Sequence, residues 1–228
     1  MARVDYDRMA PAYVTGRALP PEGMAPWRDA IRPWLPRDLG DRSPVLDLGA
    51  GTGQFAAAIA GWFGVEVVAV EPSGGMRAQA ARAFPHGGVR WVAGLAERLP
   101  LGDRTCAWAW VSTVVHHLDD LEAAAAELRR VLRPGAPVLV RQAFPGRMDE
   151  ISLYRRFFPA EALQAVDQVS ATSLAAYRDK VRLRADTGLR LLPDDEFAAG
   201  LAALDRAVEA ETSPAPVVDR IDLLVLRR

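Results

Sequence analysis

Two acids and three glycines carry the most legible chemistry in this sequence. Asp47-Leu48-Gly49-Ala50-Gly51-Thr52-Gly53-Gln54 follows the apolar pair Val45-Leu46, and Glu71 ends the β-branched run Val65-Glu66-Val67-Val68-Ala69-Val70. Glycines at alternate positions let the chain bend tightly and approach a ligand that any Cβ would push away. An acid about twenty residues beyond such a turn, at the end of a second strand, is placed to accept hydrogen bonds from two ribose hydroxyls. A glycine triplet alone also makes a ligand-free turn. With Asp47 and Glu71 both in register, it reads as a cradle for a nucleotide-type cofactor.

The spacing narrows the cofactor. A dinucleotide fingerprint requires Gly-x-Gly-x-x-Gly, but Gln54 stands at its third glycine, and no Gly-Lys-Ser/Thr follows to make a phosphate-binding P-loop. What remains, Asp-x-Gly-x-Gly-x-Gly from Asp47 to Gly53, resembles the first motif of the class I S-adenosylmethionine (SAM) dependent methyltransferases. Downstream come Gly94-Leu95-Ala96-Glu97-Arg98-Leu99-Pro100, the strand-like Cys106 to Ser112, and Thr113-Val114-Val115-His116-His117-Leu118. Glu127 to Gly135 and Pro137-Val138-Leu139-Val140 follow. This order is similar to the branch of the superfamily that holds the ubiquinone and menaquinone C-methylases and many natural-product methyltransferases. The likeness runs from about Tyr6 to Val140, and Ile221 to Leu226 is similar to the family's last strand.

The resemblance implies an α/β fold: a Rossmann-like, doubly wound, mostly parallel sheet with an N-terminal lid arm and a helical cap before the last strand. It implies a SAM-dependent enzyme that methylates a small organic acceptor at oxygen, nitrogen or carbon. Carried over by position, the cofactor site comprises Asp47, Gly49, Gly51, Gly53, Glu71, Pro72, Met76 and Ser112, with Tyr13 and Arg17 of the arm approaching the methionine part. The family carries an acid after the glycine of its third motif; Leu95 stands there here, so backbone groups of Ala96 and Glu97 must serve the adenine. Between the fifth strand and Ile221 the family fits a helix and a sixth strand ending in a glycine-aromatic turn. No clear version of that turn follows Phe158, and the region looks shortened or rebuilt.

His117 matches the position of a base in the related phosphobase methyltransferases, where a histidine pairs with an arm tyrosine; Tyr13 or Tyr6 would supply that partner. Methyl transfer is an in-line displacement, for which a protein positions the acceptor and removes a proton where necessary. A histidine titrating near its unperturbed value of about 6.5 suits the second task. The alternative is that His117 only orders the loop. His116 is the less favoured base because neighbouring helical residues diverge by roughly 100°, and Asp119 and Asp120 read as helix caps.

These residues need a scaffold, and the chain divides accordingly. Residues 1–44 form the arm, 45–142 a SAM-binding core of alternating strand and helix, 143–213 a helical substrate cap and 214–228 the terminal strand, all within one domain. Phe55, Ile59 and Trp62 recur at helical spacing before Gly64, which suits a helix stop. Arg129, Arg130 and Arg133 fall near the negative end of the helix from Leu121 and read as structural. In the cap, Leu163, Val166 and Leu174 to Tyr177 suggest one helical stretch, and Phe197, Leu201 and Leu204 another. Tyr154-Arg155-Arg156-Phe157-Phe158 could cover an organic substrate, or could turn its aromatics inward and leave its arginines in water.

Composition agrees with a compact enzyme. The 228 residues are 50% hydrophobic and carry a formal net charge of -1, so no sequence-wide basic field invites nucleic acid. The single cysteine, Cys106, excludes an internal disulfide and reads as a small core residue; the three histidines His86, His116 and His117 show no metal-ligand spacing, and no metal is expected. Charged Arg3, Asp5, Asp7 and Arg8 rule out a secretory apolar start, and no apolar run approaches the roughly 18 residues of a membrane span. A cytoplasmic location follows, with a small-molecule methyl acceptor as partner and a monomer or homodimer as assembly. Two other classes share parts of this pattern. A SAM-binding protein without methyl transfer would keep the glycine turn and Glu71. An NAD-dependent oxidoreductase is disfavoured by Gln54 and by the histidine segment.

Overall fold

The computed structural model describes residues 6–36, 43–85, 87–144, 152 and 154–228; Arg3, Asp5 and His86 lie outside them. Seven strands form one sheet: β1 (Val45–Leu48), β2 (Val67–Val70), β3 (Val89–Val92), β4 (Ala109–Ser112), β5 (Pro137–Gln142), β6 (Ala160–Ala171) and β7 (Val217–Arg227). Their spatial order is β3-β2-β1-β4-β5-β7-β6. The first five pair in parallel, and β7 runs antiparallel to β5. This is the doubly wound arrangement, with the chain order reversing between β1 and β4, where such sheets gather ligands at the carboxyl ends of their strands.

β1 and β2 are four residues long and buried at every position. Both faces of a parallel sheet are covered by helices, so its inner strands read as unbroken apolar runs. The covering helices are α3 (Gln54–Phe63), α4 (Gly74–Ala83) and α5 (Leu121–Val131), with α2 (Pro21–Ile31) ahead of β1. Ser73 caps α4 and Asp120 caps α5, their side chains accepting from Met76 N and Ala123 N at 3.0 and 2.9 Å. At the other end of α5, Arg130 donates to the carbonyls of Leu99 and Leu101 and pairs with Glu127 and Asp103, which makes it structural. One apolar layer contains Leu46, Leu48, Val140 and Phe158; the opposite one contains Trp27, Ile59, Trp108, Trp110 and Leu223.

The chain divides into two compact units, residues 27–166 with 220–228, and residues 6–26 with 167–219. The second unit contains α1 (Tyr6–Arg17), α6 (Leu174–Arg182), α7 (Thr187–Leu191) and α8 (Asp194–Ala210), and it joins the arm to the region before β7. Within it, Gly16 lies so close to Ala185 that an added Cβ would come within 2.5 Å of the alanine Cβ. Lys180, the chain's single lysine, donates to the carbonyls of Ala18 and Ser170.

One expectation changes here. Leu163 and Val166 do not lie on a helix: residues 160–171 are the twelve-residue strand β6. Ala, Glu, Leu and Gln favour helix locally, but pairing with β7 overrides that preference. Glu161 bonds Arg227 and Ser170 bonds Asp219, and these opposed registers make the pair antiparallel. Of the two readings of Tyr154 to Phe158, the structure shows the inward one: Tyr154 and Phe158 are buried, while Arg156 reaches the exposed Glu122. Among the described residues no helix is long and apolar enough to cross a membrane.

Candidate active site at the carboxyl ends of the parallel strands

β1 enters the glycine turn at its carboxyl end, in the interior of the sheet. The N–H groups of Gly49 and Ala50 both donate to Val70 O, at 2.9 and 3.1 Å, folding the turn onto β2. Gly49 has φ 68°, and a Cβ there would lie 2.1 Å from Val114 Cγ2, in the loop after β4. Gly53, the N-cap of α3 at φ 82°, would push a Cβ to 2.5 Å from the Trp91 ring. Glycine at these two positions is thus required by backbone conformation and by protein packing together.

Glu71 closes the cradle. Its carboxylate accepts from Gly51 N and Ser73 N, each at 2.9 Å, so the acid grips the middle of the turn. Each carboxylate oxygen has a second lone pair and can accept a further hydroxyl. Arg77 fixes the bend behind it by donating to the carbonyls of Glu71 and Pro72, at 2.5 and 2.9 Å. Met76 is buried beneath this bend. Asp47 is 2% exposed, and its Oδ2 accepts no hydrogen bond among the described residues. Burial first, and then the charge of Glu71, push its pKa up to about 8, so the carboxyl is protonated at neutral pH.

The end of β4 supplies a second group of side chains. Ser112 Oγ accepts from Arg141 Nη1 at 3.1 Å, and the guanidinium lies 5.0 and 5.2 Å from the ring centroids of Trp27 and Phe55. Thr113 follows at φ 54°, a left-handed conformation that costs a β-branched residue about 1 to 3 kcal/mol. Its N–H donates to Arg141 O at 2.9 Å. The short 3₁₀ turn Val115–His117 comes next, with the two histidine ring centroids 3.8 Å apart. His117 is half-buried and His116 exposed. Burial first, and then the neighbouring His116, lower the His117 pKa to about 4, which corrects the expectation of titration near 6.5. The imidazole is neutral across the physiological range.

Ala96 and Glu97 occupy the corners of a turn closed by Arg98 N to Leu95 O at 3.2 Å. The Glu97 carboxylate accepts from Asp119 N at 3.1 Å, tying this turn to the loop ahead of α5. The structure therefore brings Asp47, the three glycines, Glu71, Pro72 and Ser112 to one edge of the core unit, with His117 on the adjoining loop. Tyr13 and Arg17 belong to the other unit, where Tyr13 stands edge-on to Tyr6 at 6.4 Å and Arg17 pairs with Asp186. Arg141 and Thr113 were not anticipated as site neighbours. The signal for Arg141 was a charge ending the apolar run Val138-Leu139-Val140; the left-handed Thr113 has no sequence signature.

A family profile described as "Methyltransferase domain" matches residues 46–140, the glycine turn through β5. A demethylmenaquinone methyltransferase of Renibacterium salmoninarum is 30% identical over 216 residues, covering 89% of each chain. Three other curated relatives match at 32 to 37% identity, and the chain spans only 23 to 54% of their length. Among solved structures, the [4+2]-cyclase SpnF superimposes with a TM-score of 0.64 at 20% identity, covering 98% of this chain and 94% of that one. Phosphoethanolamine N-methyltransferase 2 of Haemonchus contortus, solved with phosphomonomethylethanolamine and S-adenosylhomocysteine, gives 0.58 at 14%, covering 97% and 57%. At these identities the two structures speak for the fold.

The residues present fit SAM. The glycine turn is folded in left-handed conformations at the carboxyl end of β1, a clamped carboxylate retains lone pairs for hydroxyls, and the buried Asp47 oxygen lacks a donor that a cationic ligand would supply. When bound, SAM supplies an electrophilic methyl group. With the profile match and a relative covered over nearly its whole length, the chain belongs to the class I SAM-dependent methyltransferases.

Proposed function

We propose that this methyltransferase acts on a small organic acceptor held above the ends of β4 and β5, beside Ser112 and His117. The observation that carries this reading is the cradle itself: Glu71 bonded to Gly51 and Ser73 at the end of β2, with Asp47 buried one strand away. In it, Glu71 takes the ribose hydroxyls, and Gly49, Gly51 and Gly53 set the left-handed turn whose backbone faces the cofactor. Pro72 and Met76 shape the bend behind the ribose, and the turn at Ala96 and Glu97 receives the adenine.

His117 is the candidate base. A neutral imidazole accepts a proton at any physiological pH, although a low pKa makes it a weak base. It therefore suits an acceptor whose proton becomes acidic as the methyl bond forms, such as a quinol, a phenol or an amine. The demethylmenaquinone methyltransferase among the relatives favours a quinol-type acceptor, and the [4+2]-cyclase among the structural neighbours is a reminder that the fold also carries other reactions.

The test has two stages. Calorimetry with SAM, with NAD as control, checks the cofactor. Methyl transfer from isotopically labelled SAM is then assayed on panels of quinols, carboxylates and amines. Binding of SAM with no transfer to any panel would favour a SAM-binding role without methylation. Binding of NAD alone would overturn the reading.

A further inference from the structure

Asp47 has an unusual position for an acid. Its register partners are Ala69 of β2 and Trp110 of β4, so it is flanked on both sides by strands of the sheet's interior. α3, which begins where the glycine turn ends, contributes no charged side chain. The titratable and charged groups that neighbouring elements place at this end of the core unit include Glu71, Arg77 and Arg141, His116 and His117 on the loop after β4, Glu97 on the turn bonded to that loop, and the buried Asp222 opposite Gln142 at the end of β5. Glu71 is an anion already fixed by two backbone N–H groups, Arg77 is turned to the carbonyls of Glu71 and Pro72, and Arg141 is engaged with Ser112 and two aromatic rings. A carboxylate buried beside another carboxylate, with one oxygen lacking any donor, is strongly disfavoured in its charged form.

We propose that Asp47 is a neutral carboxylic acid in the free protein and releases its proton as the cationic methionine end of SAM enters, so that cofactor binding and deprotonation are one event. The inference rests on the reading that the cradle takes SAM. A cation in the site replaces the missing partner and stabilises the carboxylate, and the released proton passes to solvent. Cofactor affinity then rises with pH while Asp47 is protonated in the free protein. By linkage, a pKa of about 8 in the free protein gives an increase of about tenfold per pH unit between pH 5.5 and 6.5, provided the bound form ionises well below that window. The ligand's own α-amino group titrates at about 7.7 to 8.0, so it remains charged there.

The experiment is calorimetric titration of the full chain at pH 6.5 in buffers of different ionisation enthalpy, which counts protons released per ligand. SAM and S-adenosylhomocysteine, both carrying the ammonium group, are expected to release close to one proton, adenosine none, and SAM binding to Asp47→Asn none. Where the variant fails to fold, difference infrared spectroscopy on the wild-type protein substitutes, the expected result being loss of a protonated-carboxyl band on adding SAM. Binding of SAM without proton release or loss of that band overturns the proposal alone, as does equal release with adenosine. Absence of SAM binding overturns the cofactor reading as well.

Discussion

The parallel half of the sheet and its antiparallel margin solve the same burial problem differently. β1 and β2 are four-residue strands buried on both faces, and the loops at their carboxyl ends carry Gly49, Gly51 and Glu71. β6 and β7 are twelve and eleven residues long and alternate between exposed and covered positions along much of their length. A strand hidden on both faces favours apolar residues and makes a buried exception such as Asp47 conspicuous, so its pattern and its punctuation stand out. A long margin strand admits polar and helix-favouring residues, and its identity depends on the partner it pairs with. Chemistry gathers at the first kind of strand, whose short length leaves rigid ends.

The largest effect should come from breaking the rigid half at Gly49. Gly49→Val forces a branched side chain into a left-handed conformation and against Val114, and strain plus overpacking should cost about 2 to 6 kcal/mol. Urea unfolding checks this. Adding Val114→Ala should recover part of the loss, and no recovery would show that backbone strain, not the contact, dominates.

His117→Ala should lower turnover by roughly 10² to 10⁴ while leaving SAM affinity nearly intact, if the imidazole removes the acceptor proton. The pH profile sharpens the test. With the His117 pKa lowered to about 4, the wild-type rate limb should lie near 4, not 6.5. Stability carries the matching sign: the unfolded histidine binds its proton at about 6.5, so folding is favoured above that pH and the contribution is lost as pH falls toward 4. A limb at 6.5 that survives in His117→Ala would assign it to another group.

The antiparallel margin can be broken by one comparison. On a helix Leu163 and Val166 would share a face, whereas the strand exposes the first at 40% and buries the second at 6%. Val166→Asp should cost about 2 to 4 kcal/mol and Leu163→Asp within about 0.5, measured by thermal or urea unfolding. Equal losses would contradict β6.

Glu71→Ala should weaken SAM binding by about 1.5 to 3 kcal/mol, because it removes a charged acceptor and also frees Gly51. Calorimetry measures it, and an unchanged affinity would reject the ribose assignment. The smallest effect belongs to the second unit. Arg17→Ala breaks a surface pair with Asp186, and should change stability by no more than about 1 kcal/mol. A larger drop in SAM affinity than in stability would support the arm's approach to the methionine part.

The sequence by itself determined the cofactor cradle. The glycine turn, Asp47 and Glu71 are legible because ligand approach and left-handed turns restrict residue type position by position, and β1, β2, β4 and β5 are legible because burial on both faces favours apolar runs, whereas the partly exposed edge strand β3 carries no such run. The last strand was visible for the same reason, since Leu223 to Leu226 are fully covered. Only the tertiary structure decided that residues 160–171 pair with β7, because the local preference of that segment points to helix and hydrogen bonding across strands reverses it. Only the structure placed the Arg141 guanidinium against Trp27 and Phe55 and bent Thr113 into a left-handed turn, contacts made across two strands and two helices. The protonation states followed the same division. The sequence named Asp47 and His117, but their pKa values were set by depth and by neighbours, and desolvation is a property of the folded surroundings rather than of the residue.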